Sequence, residues 1–360
     1  MLKIIGAPGR YVQAENLLLD AGEYIKKIHS KIFILTDEFS YQHFQQPLQH
    51  SLKKANCDSY FDLFQSPNTT RTFHLLSQKV QSIHAGVILG IGGGKIMDAA
   101  KALGYYAELP VAVMPTIAST DAPCSAISVL YTEENLFDRY LYLPESPRLV
   151  LVDTKIIAEA PGFLLTAGMG DALSTYFEAR AASKHYGTNS FNGHSTLAAL
   201  SLAKQCYETL LADGLSALKA VNNQTVTPAL ERVIEANIYL SGIGFESGGL
   251  AGAHAFNNAL SSIPECKNIP HGMKVAFGTL IQLLLENDMT SFYQVQDFCR
   301  QVCLPITLKE LGLNASETSL IDIATKACNP QDSMHIVSDS ITPAKVLLAM
   351  KKTDDLGKEK

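Results

Sequence analysis

The sequence predicts an α/β N-terminal domain built on a parallel sheet and followed by an all-α C-terminal domain. Three observations lead there. Continuous apolar, β-branched runs alternate with helical patterns as far as Val152; a run of glycines follows one of them directly; and from Pro161 the texture changes to long stretches rich in Ala, Leu and Glu. With 360 residues, 47% hydrophobic and 18% charged, the chain can bury about three quarters of its unfolded surface and divide into two or more domains.

The strand runs are Lys31 to Leu35 (KIFIL), Gly86 to Gly90 (GVILG), Val111 to Met114 (VAVM) and Leu149 to Val152 (LVLV). Runs without alternation are strands buried on both faces, which means a parallel sheet covered by helices. Between the third and fourth, Ala126 to Tyr131 and Arg139 to Leu143 flank the polar TEENLFD and read as an antiparallel hairpin over the sheet edge. Asp171 to Lys184, Ser195 to Leu211 and Pro228 to Phe245 read as helices. The breaker Ala160-Pro161-Gly162 sets the expected division, 1–161 and 162–360, and the charged tail KKTDDLGKEK reads as frayed.

Lys plus Arg number 29 against 35 Asp plus Glu, a formal net charge of −6. No basic run exceeds short pairs such as Lys26-Lys27, so neither a nucleic acid nor an anionic membrane is expected as partner. The seven Cys are odd in number, irregularly spaced and without a Cys-x-x-Cys pair, so neither a disulfide framework nor a zinc finger is indicated; Cys299 and Cys303 read as buried thiols. The N-terminal stretch lacks a long apolar core, and no segment approaches the roughly 18 apolar residues of a membrane span. A cytoplasmic location is expected.

Gly90-Ile91-Gly92-Gly93-Gly94-Lys95 follows a strand and opens a helical pattern. Glycines there let the backbone approach a phosphate, and the helix N-terminus favours its charge, so a pyrophosphate fits a Rossmann-like turn. A plain strand-to-helix turn fits the same residues. Lys95 breaks G-x-G-x-x-G, and Leu89 and Ile96 break the P-loop pattern, which disfavours a kinase or NTPase. Asp98, read in the first helical turn, can cap the loop's N–H groups. Asp37 follows the strand KIFILT, where a carboxylate accepts both ribose hydroxyls and repels a 2′-phosphate, favouring NAD over NADP; many loops also simply begin with Asp.

Met114 to Ser125 carries small hydroxyl residues and Asp121 at another strand's carboxyl end, suited to amide and ribose hydrogen bonds or to an ordinary connection. In the helical half, Asp171, His254 and His271 each stand among Gly, Ala or Pro. One carboxylate and two imidazoles would leave a tetrahedral Zn²⁺ an open position, the condition for a catalytic site; spacing alone leaves open that each His is structural. There is no HExxH helix and no G-x-S-x-G elbow.

Taken together, GVILGIGGGKIMDAAKAL, VMPTIASTDAPCSAISVLYT, GMGDALSTYFEAR, VTPALERVIEANIYLSGIGFESGGLAGAHA and HGMKVAFGTL resemble the iron-containing alcohol dehydrogenase superfamily, and within it the branch that oxidises glycerol with NAD. The blocks cover most of Gly86 to Glu286; His43 to Gln78 and the last thirty or so residues match weakly. The resemblance implies a dehydroquinate synthase-like fold, NAD in the cleft between two domains, and one metal ion per subunit on Asp171, His254 and His271. It implies pyrophosphate contacts from Gly92, Gly93, Gly94 and Lys95, ribose contact from Asp37, and nicotinamide-side contacts from Thr116, Ser119, Ser125, Val129 and Tyr131; Asp98, by its place after the glycines, is read with the cofactor site as its support. Asp121 falls where the family binds substrate hydroxyls, and Phe245 matches a wall of the substrate pocket. Iron-binding members carry a further His four residues after the Asp, but Thr175 stands there, which favours zinc.

The expected reaction is reversible oxidation of glycerol to dihydroxyacetone, or of a related vicinal diol, with Asp121 orienting hydroxyls and His254 holding the metal. A superfamily member acting on a phosphorylated polyol, for which Lys267 and Lys274 are the sequence-near cations, or on another small hydroxy compound, is the alternative; a nucleotide sensor without catalysis is the reading from a different class. The resemblance also implies a homo-oligomer, in the glycerol branch an octamer.

Overall fold

Residues of both parities are buried in each central strand, and this dictates a sheet covered on two faces. Ile32 and Ile34 join Val87, Leu89, Ile91, Met114 and Leu151 in one apolar cluster, while Phe33, Leu35, Ile88, Val113 and Val150 between them are equally buried.

The computed structural model describes residues 1–134, 136–261, 263, 266, 268–313 and 316–359. In chain order the elements are β1 (Tyr11–Ala14), α1 (Ala21–Ile25), β2 (Lys31–Thr36), α2 (Glu38–Lys54), β3 (Asp58–Leu63), α3 (Thr70–Ser82), β4 (Val87–Gly92), α4 (Gly94–Ala107), β5 (Val111–Pro115), β6 (Ile127–Tyr131), β7 (Phe137–Tyr142), β8 (Leu149–Asp153) and α5 (Thr154–Ala158). Helices follow: α6 (Gly162–Lys184), α7 (Leu197–Asn222), α8 (Pro228–Glu235), a π-helical turn (Ala236–Leu240), α9 (Ser241–Gly248), α10 (Gly252–Ser261), α11 (His271–Leu285), α12 (Met289–Gln301), α13 (Glu317–Ala327) and α14 (Pro343–Lys358).

These form two compact units, Gly6–Pro161 with Ala220–Gly242, and Met1–Ile5 with Gly162–Lys219 and Ile243–Lys360. A single division after residue 161 thus differs in two stretches. Residues 220–242 belong with the sheet because α8 buries Leu230, Val233 and Ile234, Gln13 donates to the Glu231 carbonyl at 2.9 Å, and Asn237 donates to the Ala118 carbonyl at 3.1 Å. Residues 1–5 belong with the helices through Ile4, whose carbonyl accepts from Asn189 at 2.8 Å.

In the sheet unit the strand order is β1-β8-β5-β4-β2-β3, every neighbouring pair being parallel. The chain leaves β2 for β3 on one side, then returns to build β4, β5 and β8 on the other. The carboxyl ends of β2 and β4 therefore flank a topological switch point, where open sheets bind ligands. The four central strands are those expected; β1 and β3 are additional, edge strands whose short or polar sequences lack the fully buried signature. The hairpin is a separate two-stranded antiparallel sheet attached to α4, where Ser128 donates to the Asp98 carbonyl at 2.9 Å.

In the helical unit, α6 and α11 approach backbone to backbone. A Cβ on Gly272 would lie 1.7 Å from the Ala167 carbonyl oxygen, and one on Gly170 2.4 Å from the Gly272 carbonyl oxygen. No larger residue fits either position without moving a helix. None of the seven cysteines is in a disulfide. Cys303 departs from its expected burial: α12 ends at Gln301, Cys303 takes left-handed backbone (φ 61°), and its side chain is exposed. No described helix is long and apolar enough to cross a membrane.

Asp153 ties the sheet unit together. Buried at the end of β8, it accepts from Asn16 N–H (3.1 Å) and Leu18 N–H (2.9 Å) as well as from Lys155 N–H (3.0 Å) at the start of α5. Asp153→Ala is expected to cost about 2–4 kcal/mol, because a cap is lost and buried donors are orphaned. The check is a lowered urea midpoint for this unit at unchanged slope.

Candidate active site

The turn from β4 into α4 is shaped by what has no room for a side chain. Gly92 has φ +154°, and a Cβ there would fall 2.5 Å from Asp37 Oδ2 and 2.8 Å from Ile96 Cγ1. Gly93 caps α4 with no side-chain cap bond and its carbonyl takes the Ile96 amide at 2.9 Å, so the amides offered to a ligand are those of Gly94 and Lys95, the arrangement that receives a phosphate. Asp37 is held alongside as the cap of α2, its Oδ1 accepting from Ser40 N–H at 2.7 Å. Lys95 is exposed, with Nζ 5.5 Å from the centre of the Phe64 ring. Thr116 N–H donates to the Gly92 carbonyl at 3.0 Å and joins the end of β5 to the same turn.

Farther along that loop Ser119 is half-buried. Asp121 is 9% exposed, and its Oδ2 accepts from Ser241 Oγ at 2.7 Å, just after the π-helical turn. Ser125 is buried with its hydroxyl 3.3 Å from Lys101 Nζ; Val129 and Tyr131 are half-buried on β6, and burial raises the Tyr131 hydroxyl's pKa above its ordinary value. Asp98 departs from its expected place. The first turn of α4 holds no acidic residue, so Asp98 does not cap the loop; its carboxylate turns inward to Lys101 at 3.1 Å. Burial pushes that carboxyl up, with Lys101 and the Val129 amide pulling it down less.

In the helical unit, α6, α10 and α11 bring Asp171, His254 and His271 together, with their ligand atoms within 4.8 Å of one another. Asp171 is 2% exposed, and its Oδ1 lies 3.6 Å from His254 Nε2 and 3.1 Å from His271 Nε2. Neither of its oxygens has a partner in hydrogen-bonding geometry. An ionised carboxylate buried in this way needs a positive charge at that point, and one oxygen and two imidazole donors suit a divalent transition metal. Phe245, 9% exposed, lies beside this cluster with its ring 6.5 Å from that of His254. Thr175 is buried one turn after Asp171; its Cγ2 would meet a Cβ on Gly244 at 2.6 Å, so the position is packed tight.

Glu178 is the functional residue that sequence reasoning missed. It is fully buried two turns after Asp171 on α6, and His254 Nδ1 donates to its Oε2 at 2.6 Å; the direction follows because a carboxylate only accepts. Its Oε1 accepts from the N–H groups of Ala251 and His254, both at 2.9 Å. Glu178 therefore fixes both the ring and the backbone of His254 and turns Nε2 toward Asp171. Burial raises the Glu178 carboxyl but His254 outweighs it, leaving the pKa lowered. Burial likewise pushes His254 down, yet Glu178 and Asp171 together hold it well above its ordinary value. Asp171, also raised by burial, is held low by His271 and His254. The only signal in the sequence was an acidic residue on an Ala-rich helix at the i+7 position from another.

Glu178→Gln is expected to weaken metal binding about 10- to 100-fold with the helical signal preserved, measured by competition against a chromophoric chelator. Unchanged affinity would remove Glu178 from the metal centre.

Residues 8–154 match the family model described as iron-containing alcohol dehydrogenase. Over 359 residues the chain is 46% identical to a glycerol dehydrogenase of Pseudomonas putida, covering 99% of this chain and 98% of that one. It is 36% identical to a glycolaldehyde reductase of Halobacterium salinarum, covering 99% of each. The crystal structure of glycerol dehydrogenase from Schizosaccharomyces pombe superposes with a TM-score of 0.95 at 33% identity, over 99% of this chain and 91% of that one. With likeness extending along its whole length, the chain is an oxidoreductase and belongs to the iron-containing alcohol dehydrogenase family.

Proposed function

We propose that this protein oxidises glycerol reversibly to dihydroxyacetone, with NAD as hydride acceptor and one Zn²⁺ on Asp171, His254 and His271. What supports it most is the buried Asp171 carboxylate facing two imidazoles without a hydrogen-bond partner, in a chain 46% identical to a glycerol dehydrogenase. The metal, when bound, supplies Lewis acidity that lowers the pKa of a coordinated alcohol hydroxyl. NAD, when bound, would supply the hydride-accepting chemistry.

The chain's own residues do the rest. Gly92, Gly93 and Gly94 give the pyrophosphate a surface of backbone amides, and Lys95 adds a cation. Asp37 Oδ2, close beside Gly92, accepts ribose hydroxyls and repels a 2′-phosphate. Thr116, Ser119, Ser125, Val129 and Tyr131 line the nicotinamide side, with Asp98 bracing β6 from below. Asp121, whose Oδ2 accepts from Ser241, orients substrate hydroxyls; Phe245 closes the pocket beside His254. Holding the reacting carbon and the acceptor in one geometry is the protein's main contribution to rate.

A phosphorylated polyol is the weaker reading. Of the two lysines that would receive its phosphate, Lys274 is buried with Nζ donating to Ser261 Oγ at 2.7 Å, and Lys267 lies outside the described residues. The proposal extends to a cytoplasmic homo-oligomer, octameric by resemblance; seven cysteines without a disulfide suit a reducing compartment.

His254→Ala is expected to cut kcat at least about 10³-fold, since metal polarisation is worth several kcal/mol, while NADH binding is retained. Chelation should inactivate the enzyme and Zn²⁺ restore it; full glycerol turnover by verified metal-free protein contradicts the proposal. Asp37→Ala should raise the ratio of NADP to NAD turnover, compared as kcat/KM, by about tenfold, the value of one lost repulsive contact of roughly 1.4 kcal/mol. Preference for a glycerol phosphate over glycerol would favour the weaker reading.

A further inference from the structure

Lys101 is 1% exposed, although lysine almost never goes fully under cover unless paired. Its ammonium has three N–H donors, and the structure surrounds it with oxygen. Nζ donates to the Ala122 carbonyl at 2.7 Å and to the Ile127 carbonyl, pairs with Asp98 Oδ1 at 3.1 Å, and has Ser125 Oγ at 3.3 Å. Ala122 and Ile127 bracket the turn between Asp121 and β6. Lys101 itself lies on α4, the helix that starts at the glycine turn. Asp98, one turn earlier on α4, reaches the same segment, since the Val129 amide donates to its carboxylate.

We propose that Lys101 is a positioning residue for hydride transfer: its buried ammonium fixes the 121–127 turn, and with it Asp121 and the nicotinamide-side residues, against the helix that receives the pyrophosphate. This rests on the reading that the glycine turn binds NAD. Filling space does not require a charge here, because an apolar side chain of similar length packs as well and avoids desolvating an ammonium. A lysine does what a methionine cannot. It draws two carbonyls and a carboxylate to one point, so the turn has one position relative to α4 instead of several. The pyrophosphate half of the nucleotide site does not use this anchor; the nicotinamide half does.

That asymmetry gives the test. Dissociation constants for ADP-ribose, which lacks the nicotinamide, and for NADH are measured on the metal-loaded full chain, together with kcat and KM for glycerol, in wild type and Lys101→Met. The expected result is an ADP-ribose constant within about twofold of wild type with the NADH constant raised about tenfold, the value of one lost charged hydrogen bond. Turnover should fall about 100-fold, as a displacement of about 1 Å near the reacting atoms costs. Equal weakening of ADP-ribose and NADH, or unchanged NADH binding and turnover, overturns the proposal. If Lys101→Met does not fold, Asp98→Asn keeps the shape and removes the counter-charge, and the same split between ADP-ribose and NADH is expected at smaller size; its absence overturns the proposal equally. Failure of the wild type to bind ADP-ribose would instead refute the nucleotide reading itself, before any variant is compared.

Discussion

A carboxylate in the interior without a hydrogen-bond partner is the constraint on which the helical unit depends. Asp171 is 2% exposed and sits mid-helix, so water cannot relieve its charge. Desolvation of that kind is worth several kcal/mol, and the fold answers it with two imidazoles whose nitrogens converge from other helices. Bringing His271 that close requires α6 and α11 to touch through their backbones, which is why glycine stands at 170 and 272. Aiming His254 requires a second buried carboxylate, Glu178, which in turn is satisfied by two backbone amides at the start of α10. Each demand creates the next, and the chain of demands ends at an Asp171 carboxylate whose two oxygens both lack a hydrogen-bond partner.

The sheet unit is organised by the opposite device. The surface proposed for the nucleotide is made of backbone and of missing side chains, at the point where strand order reverses between β2 and β4. Charge enters only at the margins, through Asp37 on one side and Lys95 on the other. Beneath this surface, however, α4 carries an internal ion pair between Asp98 and Lys101 that fastens the following loop and hairpin. Amides can receive a phosphate without side-chain help, whereas a loop that must hold Asp121 in register needs directional bonds from a fixed element.

How legible this was in the sequence follows from the range of the interactions. The four central strands and the glycine turn are local features, set by consecutive residues, and were expected. Asp171, His254 and His271 were recognisable because small neighbours surround each and because the blocks containing them resemble a known family. Glu178 pairs with a histidine 76 residues away, and nothing local announces that pairing. Lys101 follows Lys95 and Asp98 on the same helix, so it reads as one more solvated charge until its acceptors, 21 and 26 residues on, are located. The segment 220–242 was assigned with the helices because its periodicity is helical. Periodicity identifies an apolar face but not the surface that covers it. Edge strands β1 and β3 were passed over since one side of each is unpaired, which removes the need for a fully apolar run.

One carboxylate and two imidazoles of this chain are proposed to hold a catalytic divalent ion. X-ray absorption at the zinc edge of the loaded protein tests it most directly. The account predicts a sulfur-free shell of nitrogen and oxygen donors at about 2.0–2.1 Å, with the multiple scattering of two imidazoles and a position open to a non-protein oxygen. A shell containing cysteine sulfur, or one with no imidazole scattering, would contradict it.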